Sequence, residues 1–374
     1  MEGSGEEIES MNIGAFFERT IYSSFSEESF YKRFLLFSLY PISLLYRFLI
    51  QLRHTLYKTG VFRSYSLPCR VISIGNITMG GTGKTPTVIY LARLFKEHGL
   101  RTAVLSRGYK AKSLEKVAVV SNGEQIFLNA QDAGDEPLLL SKALPGVPII
   151  IGRDRVRSGR YAVDQFSAEV VLLDDGFQYM RLHRDADILL IDLYYGFGNG
   201  YLLPRGILRE PLIHLNRAHI FLLTKKIDSK DDQTIESKIT SFKPNAQIFF
   251  ASYEIKCVTT LKEEKEIDLN DLKEKKVLAL SGIANPHYFS YLLRQQGMSV
   301  IEEWMLPDHH CYTSKDARKL RGYLKRIDFI ITTGKDSTKM DKEVFKEFPI
   351  LVLEIMLKIH DEHGFKSALF KLIA

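Results

Sequence analysis

Cysteine is scarce in this 374-residue chain, which contains only Cys69, Cys257 and Cys311. These three residues are odd in number and far apart, and they lack the short spacing that a structural zinc site needs. The chain also shows no internal repeat and no low-complexity tract. We therefore expect neither a disulfide framework nor a zinc site, and a reducing compartment is the natural setting.

Acidic residues are missing from one segment. Residues 31–70 contain no Asp or Glu, and within them residues 34–50 form the most apolar run of the chain. That run is shorter than the roughly 20 apolar residues that span a bilayer, and it contains Pro41 and Arg47. Basic residues on both sides of an apolar run are typical of a helix that lies in a lipid interface, although a core helix packed on a sheet is the alternative. We predict a membrane-associated helical segment over residues 31–65.

The start of the chain lacks the features of a secretory signal. Residues 1–10 are polar and acidic, with no basic region before an apolar core, so residues 1–30 are predicted to be a leader. The net charge of +6 suits nucleic acid, a membrane or a phosphorylated substrate. No recognition signature for RNA or DNA accompanies it, and we predict no nucleic-acid partner.

Residues 70–94, RVISIGNITMGGTGKTPTVIYLARL, dominate the interpretation. A β-branched run is followed by a glycine-rich loop and then by apolar residues at helical spacing. A helix that begins after such a loop binds phosphate through its backbone N–H groups, while a lysine reaches the terminal phosphates and a hydroxyl reaches Mg²⁺. The first glycine of the usual motif is replaced by Thr78. The predicted nucleotide-binding residues are Thr78, Met79, Gly80, Gly81, Thr82, Gly83, Lys84 and Thr85.

Two carboxylates follow another apolar run. The sequence EVVLLDD at residues 169–175 predicts a strand that ends at Asp174 and Asp175. In a parallel sheet the carboxyl ends of the strands face the ligand, so one of these carboxylates can hold Mg²⁺ opposite Thr85. Asp175 is the first choice and Asp174 the alternative.

Three further polar features remain open on the residues alone. Asp135 and Glu136 precede an apolar helix, where acidic residues stabilise the helix N-terminus without any other role. Arg155 opens another helix against its dipole, which indicates an anionic partner. The glycine-rich residues 196–211, with Arg209, are either an anion-binding loop or a surface connection.

The order of predicted elements indicates an α/β protein. We expect a P-loop kinase-type three-layer domain with a mainly parallel sheet over residues 66–252 and a smaller α/β domain over residues 253–374. The highly charged residues 229–275 are predicted to contain the hinge, with a weak strand over 247–253. The second domain carries the Asp-His motif at residues 307–310.

In combination these segments resemble the tetraacyldisaccharide 4'-kinase family, the inner-membrane kinases of lipid A biosynthesis. The resemblance covers residues 70–340 in the expected order. Tyr179 departs from it, because the family often has histidine there, and so does Gly334, where an acidic residue is frequent. The matching segments are GN and GGTGKTP (75–76, 80–86), SRGY (106–109), GDEP (134–137), the helix start at Arg155, DDGFQ (174–178), RD (184–185), LPRGILREP (203–211), SGIANP (281–286), PDHH (307–310) and TGKDSTK (333–339).

The resemblance implies phosphoryl transfer from MgATP to the 4'-hydroxyl of a tetraacylated glucosamine disaccharide 1-phosphate. It implies that Asp135 takes the hydroxyl proton and that His309 orients this carboxylate, which replaces the capping interpretation of Asp135. Lys84, Arg155 and Arg209 are then expected to bind anionic groups of ATP or of the lipid.

The expected partners are the acylated disaccharide and the lipid surface at the cytoplasmic face of the bacterial inner membrane, bound peripherally or monotopically. No obligate protein partner is predicted. One alternative is a membrane-attached P-loop ATPase switch without a lipid acceptor, and another is a soluble P-loop kinase for a small metabolite. Neither accounts for all of the segments, because the switch needs no acid-histidine pair and the soluble kinase needs no acid-free apolar segment.

Overall fold

The structure is a computed structural model that describes residues 36–108, 117–225, 232–307 and 310–374. One sheet of thirteen strands runs through these residues. The strands are β1 (Arg70–Asn76), β2 (Thr102–Ser106), β3 (Ala118–Ser121), β4 (Ile149–Ile151), β5 (Val170–Asp174), β6 (Ala186–Asp192), β7 (Ile220–Thr224), β8 (Gln247–Thr260), β9 (Glu266–Ile267), β10 (Lys276–Ser281), β11 (Ser299–Met305), β12 (Phe329–Thr333) and β13 (Ile350–Ile359).

Helices cover both lobes of this sheet, of which the first comprises β1–β7 with the start of β8 and the second comprises β9–β13 with the rest of β8. Two short 3₁₀ turns lie at Leu212–Arg217 and Leu269–Leu272. Within the described residues the α-helices are α1 (Tyr40–Lys58), α2 (Lys84–Glu97), α3 (Ala130–Ala133), α4 (Asp135–Ala143), α5 (Arg155–Phe166), α6 (Asp232–Phe242), α7 (Pro286–Gln295), α8 (Ser314–Leu320), α9 (Gly334–Ser337) and α10 (Glu362–Ile373).

The strand order is β11-β10-β12-β13-β8-β7-β6-β1-β5-β2-β4-β3, with β9 paired to β8. Most neighbouring pairs are parallel, which confirms the predicted α/β class with a mainly parallel sheet. The central strands are almost continuously buried and rich in Val, Ile and Leu, as expected where helices cover both faces. The carboxyl ends of β1, β5, β6 and β7 therefore meet at one edge, where ligands bind in open α/β sheets.

Strand β8 is longer than the sequence predicts and joins the two lobes. Its first residues pair with β7 in parallel, and the rest pairs with β13 in antiparallel fashion. The predicted weak strand over 247–253 therefore continues to Thr260, inside the predicted hinge, and the predicted boundary at 252–253 falls within it. The C-terminal α10 packs on the core of the first lobe. The division into two domains remains a prediction.

Helix α1 confirms the helix predicted within residues 31–65, and Pro41 lies in its first turn, where proline is tolerated. Its large apolar side chains are exposed, with 62% of Phe48 and 59% of Leu45 accessible. The opposite face contacts the loop that follows β6 through Ser43 and Tyr46, and the loop that follows β5 through Arg53. Each helix in the described part of the chain falls short of the length or apolar content needed to cross a bilayer.

Phe365 tests the packing of α10. The side chain is fully buried against the rings of Tyr90 and Phe249. Phe365→Ala should lower the free energy of unfolding by about 3–5 kcal/mol because it removes a buried ring and leaves a cavity. Urea denaturation measures the change.

The control is Lys366→Ala in the same helix, which removes only a partly exposed ion pair with Glu362 and should change stability by less than about 0.5 kcal/mol. If both substitutions lowered the free energy of unfolding by the same small amount, α10 would not be part of the core of the first lobe.

Candidate functional site

The glycine loop after β1 is shaped for phosphate. Gly80 and Gly83 adopt φ values of 102° and 90°, a region that favours glycine. Helix α2 begins at Lys84, no side chain caps it, and its first turn carries no acidic residue. The unpaired N–H groups and the positive end of the helix dipole therefore suit an anion. Thr85, the predicted Mg²⁺ ligand of this loop, is the second residue of the helix.

The loop is held from both sides. Asn76 Nδ2 donates to Thr82 Oγ1 at 3.0 Å, and Thr224 Oγ1 at the end of β7 donates to the Thr82 carbonyl at 2.9 Å. Lys225 Nζ donates to the Gly81 carbonyl at 2.7 Å and forms an ion pair with Asp192. Sequence reasoning missed Lys225. Its position just beyond a strand that ends at the ligand edge was the available signal.

Thr78 and Met79 lie beneath the loop, where they pair with residues 207–209. Thr78 forms an antiparallel bridge with Leu208, and Met79 N donates to the Ile207 carbonyl at 2.8 Å. The Thr78 side chain is buried, whereas that of Met79 is exposed. These backbone contacts attach the loop to residues 207–208, so the segment 196–211 supports the glycine loop. Its anion-binding role stays a prediction.

Arg209 connects three parts of the site. Its guanidinium donates to both oxygens of Asp175, at 2.8 and 3.2 Å, and to Asn76 Oδ1 at 2.8 Å. Lys84 Nζ lies 3.8 Å from the same Asp175. Burial alone would raise the pKa of Asp175, but Lys84 and Arg209 outweigh it and hold that pKa below its usual range. Asp175 is therefore ionised and already bound to the cations of the protein.

The pKa of the neighbouring Asp174 is shifted in the opposite direction. It is buried, and burial together with the negative charges of Glu136 and Asp175 raises its pKa to about 7. One oxygen accepts from Ser106 at 3.0 Å, while the buried Oδ1 has no hydrogen-bond partner among the described residues. A buried carboxylate oxygen without a donor fits a cation such as Mg²⁺.

Arg155 lies at the start of α5 with its guanidinium 5.2 Å from the centre of the Tyr179 ring. It is buried, and burial lowers its pKa while Asp174 and Asp175 act in the opposite direction. Its Nε has no hydrogen-bond partner among the described residues, which fits an anion at this position. Tyr179, the departure from the family pattern, supports α5 because its hydroxyl accepts from Arg155 N at 3.0 Å.

Asp135 is the first residue of α4, directly before Glu136, whose charge acts on Asp174. The second lobe reaches the same place, because Lys335 Nζ in α9 lies 3.3 Å from Glu136 Oε1. His309, the predicted partner of Asp135, lies outside the described residues.

The second lobe also contacts the glycine loop, which sequence reasoning did not anticipate. Gly81 lies so close to Ala284 that a side chain at position 81 would place its Cβ 3.2 Å from Ala284 Cβ. In addition, Asn285 Nδ2 lies 3.5 Å from Asp192 Oδ2. The SGIANP segment (residues 281–286) therefore packs against the glycine loop at Gly81. The geometry gathers Lys84, Arg155 and Arg209 with the carboxylates at one edge of the sheet, an arrangement suited to phosphoryl transfer.

Comparison with known proteins agrees with this geometry. The family model described as Tetraacyldisaccharide-1-P 4'-kinase matches residues 35–374. The chain belongs to this family. It is therefore a kinase, a phosphotransferase that acts on a hydroxyl group.

Individual relatives cover most of the chain. The Tetraacyldisaccharide 4'-kinase of Syntrophus aciditrophicus is 38% identical over 342 residues, which are 88% of this chain and 91% of the relative. That of Desulfotalea psychrophila is 41% identical over 315 residues, covering 83% and 90%. The crystal structure of Aquifex aeolicus LpxK in complex with ATP matches with a TM-score of 0.71 at 33% identity and covers 91% of this chain and all of that one. The family resemblance seen in the sequence is confirmed.

The raised pKa of Asp174 predicts a pH-dependent stability. In the folded state the Asp174 carboxyl keeps its proton up to a pH of about 7, whereas an unfolded Asp has a pKa of about 3.9. The stabilisation from the protonated carboxyl is therefore complete below about pH 4 and is lost as the pH rises through about 7. Asp174→Asn has no carboxyl to lose a proton and therefore does not lose this stabilisation. The melting temperature of the variant minus that of the wild type should thus be larger at about pH 8.5 than at about pH 5.5.

Thermal unfolding without nucleotide or metal, at both pH values, measures the difference. Asp164→Asn, a substitution in the exposed part of α5, is the control and should show no such dependence. A wild-type minus Asp174→Asn difference that stays constant with pH would contradict the assigned environment of Asp174.

Proposed function

We propose that this kinase transfers the γ-phosphoryl group of MgATP to the 4'-hydroxyl of tetraacyldisaccharide 1-phosphate, which forms the 1,4'-bisphosphorylated lipid A precursor, lipid IVA. The observation that carries the proposal is the convergence of Lys84, Arg155, Arg209 and two aspartates at an uncapped helix start, in a chain of this family. Phosphoryl transfer depends mainly on positioning and on neutralising phosphate charge, which these groups can supply.

In the proposed complex residues 78–85 hold the phosphates of ATP, as the ATP complex of the Aquifex aeolicus relative supports. Thr85 and Asp174 are the proposed Mg²⁺ ligands. Asp174 is favoured over Asp175, because both oxygens of Asp175 are bound by Arg209 while Oδ1 of Asp174 has no partner among the described residues. When bound, Mg²⁺ neutralises the charge that develops on the phosphates.

For the acceptor side, we propose that Asp135 takes the proton of the 4'-hydroxyl. The hydroxyl oxygen then bonds to the γ-phosphorus, and the bond from this phosphorus to ADP breaks. His309 of the other lobe orients this carboxylate. The support is positional. Asp135 lies beside Glu136, whose Oε1 is 3.3 Å from Lys335 Nζ of the second lobe.

The exposed face of α1 is the proposed contact with the lipid surface. Apolar side chains line it, and the acid-free segment around it carries Arg47, Lys58 and Arg63, which suits anionic headgroups. The enzyme would then lie peripherally or monotopically at the cytoplasmic face of the bacterial inner membrane, where an acylated substrate resides.

A transfer assay tests the reaction. The protein is incubated with γ-labelled ATP, Mg²⁺ and tetraacyldisaccharide 1-phosphate in detergent micelles, and label in the lipid is measured. Transfer of label to the 4' position supports the proposal. ATP turnover that is independent of the lipid, with no label transferred, would instead support the ATPase switch.

Asp135→Ala should lower the turnover of this transfer by on the order of a hundredfold or more, because it removes the proposed base. ATP affinity should be nearly unchanged, because the phosphates are held by the glycine loop and Lys84. The control is Asp132→Ala in α3, three positions earlier, which should retain turnover. An equal loss of ATP binding in Asp135→Ala would place Asp135 in the nucleotide site instead.

The pair Leu45→Glu and Phe48→Glu should reduce co-sedimentation with phosphatidylethanolamine–phosphatidylglycerol vesicles by about tenfold or more, since two charges enter the proposed lipid-facing surface. The matched control is the pair Ile126→Glu and Phe127→Glu, also exposed, beside the edge strand β3. The same loss in both pairs would contradict a specific contact through α1.

A further inference from the structure

The inner face of α1 binds the two loops that carry the ion pair of the site. Ser43 Oγ donates to the Leu202 carbonyl at 3.0 Å, and Tyr46 OH donates to the carbonyl of Arg209 itself at 2.9 Å. Arg53 donates to the Gln178 carbonyl at 2.8 Å, three residues after Asp175. All three acceptors are backbone carbonyls, so α1 acts on the path of these loops and not on a single side chain.

A second set of contacts lies around Glu210, the residue after Arg209. His54 of α1 stacks on His214 with ring centres 3.8 Å apart, and Glu210 lies within 3.3 Å of both imidazoles. Arg217 lies 3.0 Å from Glu210 and donates to the Phe177 carbonyl at 3.2 Å. Burial opposes ionisation of Glu210, but hydrogen bonds from His214 and His54 prevail and keep its pKa below the usual range.

This cluster joins α1 to both loops at once. Arg217 supplies the positive charge that the buried carboxylate needs, and one of its nitrogens lies 3.2 Å from His54 Nε2. The carboxylate of Glu210 therefore has three partners, His54, His214 and Arg217, all within 3.3 Å.

The attachment of α1 rests on few groups. Ser43 is the one residue of this helix that is fully buried, and Tyr46 packs half-buried on the core, while most of the large apolar side chains are exposed. A net contribution of about 1 kcal/mol is typical for one hydrogen bond, so a handful of them hold the helix only moderately. Burial of the exposed apolar face in a lipid surface would therefore add to the stability of the docked helix.

We propose that Tyr46, Arg53 and His54 are positioning residues for the Arg209–Asp175 pair, and that contact of the outer face of α1 with a lipid surface raises turnover by stabilising the docked helix. The turnover part rests on the proposed function. A lipid surface that engages α1 in its docked orientation shifts the population toward that state by its differential affinity. The docked state is the one in which both loops hold the ion pair in place.

Tyr46→Phe tests the positioning role and keeps the aromatic ring. Its kcat for transfer to the acylated disaccharide should fall about fivefold to tenfold, while the KM for ATP changes less than about twofold, because the glycine loop is untouched. Arg53→Gln should behave similarly. Tyr57→Phe removes a hydroxyl from the same helix but keeps the ring that lies 5.9 Å from the Arg53 guanidinium, and it should keep the wild-type kcat.

A double-mutant cycle identifies the route of the effect. In an Arg209→Lys background the paired geometry with Asp175 is already lost, so adding Tyr46→Phe should lower kcat by less than about twofold. A full additional fivefold loss in that background would show that Tyr46 does not act through Arg209, and the positioning proposal would be wrong.

Hydrogen exchange tests the lipid linkage without any assay of activity. Phosphatidylethanolamine–phosphatidylglycerol vesicles should slow amide exchange in residues 174–178 and 202–211 of the wild type severalfold. The combined Tyr46→Phe and Arg53→Gln variant should bind the vesicles but lose most of this protection. Since no acceptor is present, these results stand even if the proposed reaction is wrong.

Two outcomes would overturn the proposal that lipid contact with α1 stabilises the two loops. Vesicles that co-sediment with the protein but leave exchange in both loops unchanged would show that lipid contact is not transmitted. Equal protection in the wild type and the double variant would show that these hydrogen bonds do not transmit it. A failed transfer assay with the expected exchange pattern would reject the proposed reaction alone.

Discussion

The ion pair between Arg209 and Asp175 joins the parts of this molecule that must act together. It ties the end of β5 to residues 202–211, and through Asn76 it reaches the glycine loop. A paired guanidinium and carboxylate of this kind is directional, so it defines a position as well as a charge. Removing either partner would leave a half-buried charge with fewer partners, which is costly.

The same pair separates the roles of two adjacent aspartates. Arg209 and Lys84 hold Asp175 in its ionised form, whereas burial and the nearby carboxylates raise the pKa of Asp174 to about 7. Two acids that are neighbours in sequence thus meet opposite environments because the chain turns between them, with Asp175 at a φ of 52°. One carboxylate organises the site, and the other is suited to bind a cation.

Helix α1 extends this organisation to the surface. Its polar inner face binds the loops of the ion pair, and its apolar outer face is exposed. The usual amphipathic arrangement, with the apolar face toward the protein, is reversed. A helix of this kind suits the proposed contact with a lipid surface, because its polar face is already bound to the site loops.

By itself the sequence determined the local elements: the strand, loop and helix at residues 70–94, the strand that ends at Asp174, the helix at Asp135 and the apolar helix before β1. Such elements follow from hydrophobic period and from glycine, which act over a few residues. The glycine-loop residues and the two aspartates were found in the same way, whereas the roles of Asp135 and His309 were implied by the family resemblance.

Only the tertiary structure decided their partners. The length of β8 depends on pairing with β7 and then with β13. Arg209 meets Asp175, 34 positions earlier, because the chain between them returns to the same sheet edge. Lys225 and the inner face of α1 likewise acquire their roles from contacts between distant segments. Those contacts depend on strand order and loop path, which residue spacing along the chain does not encode.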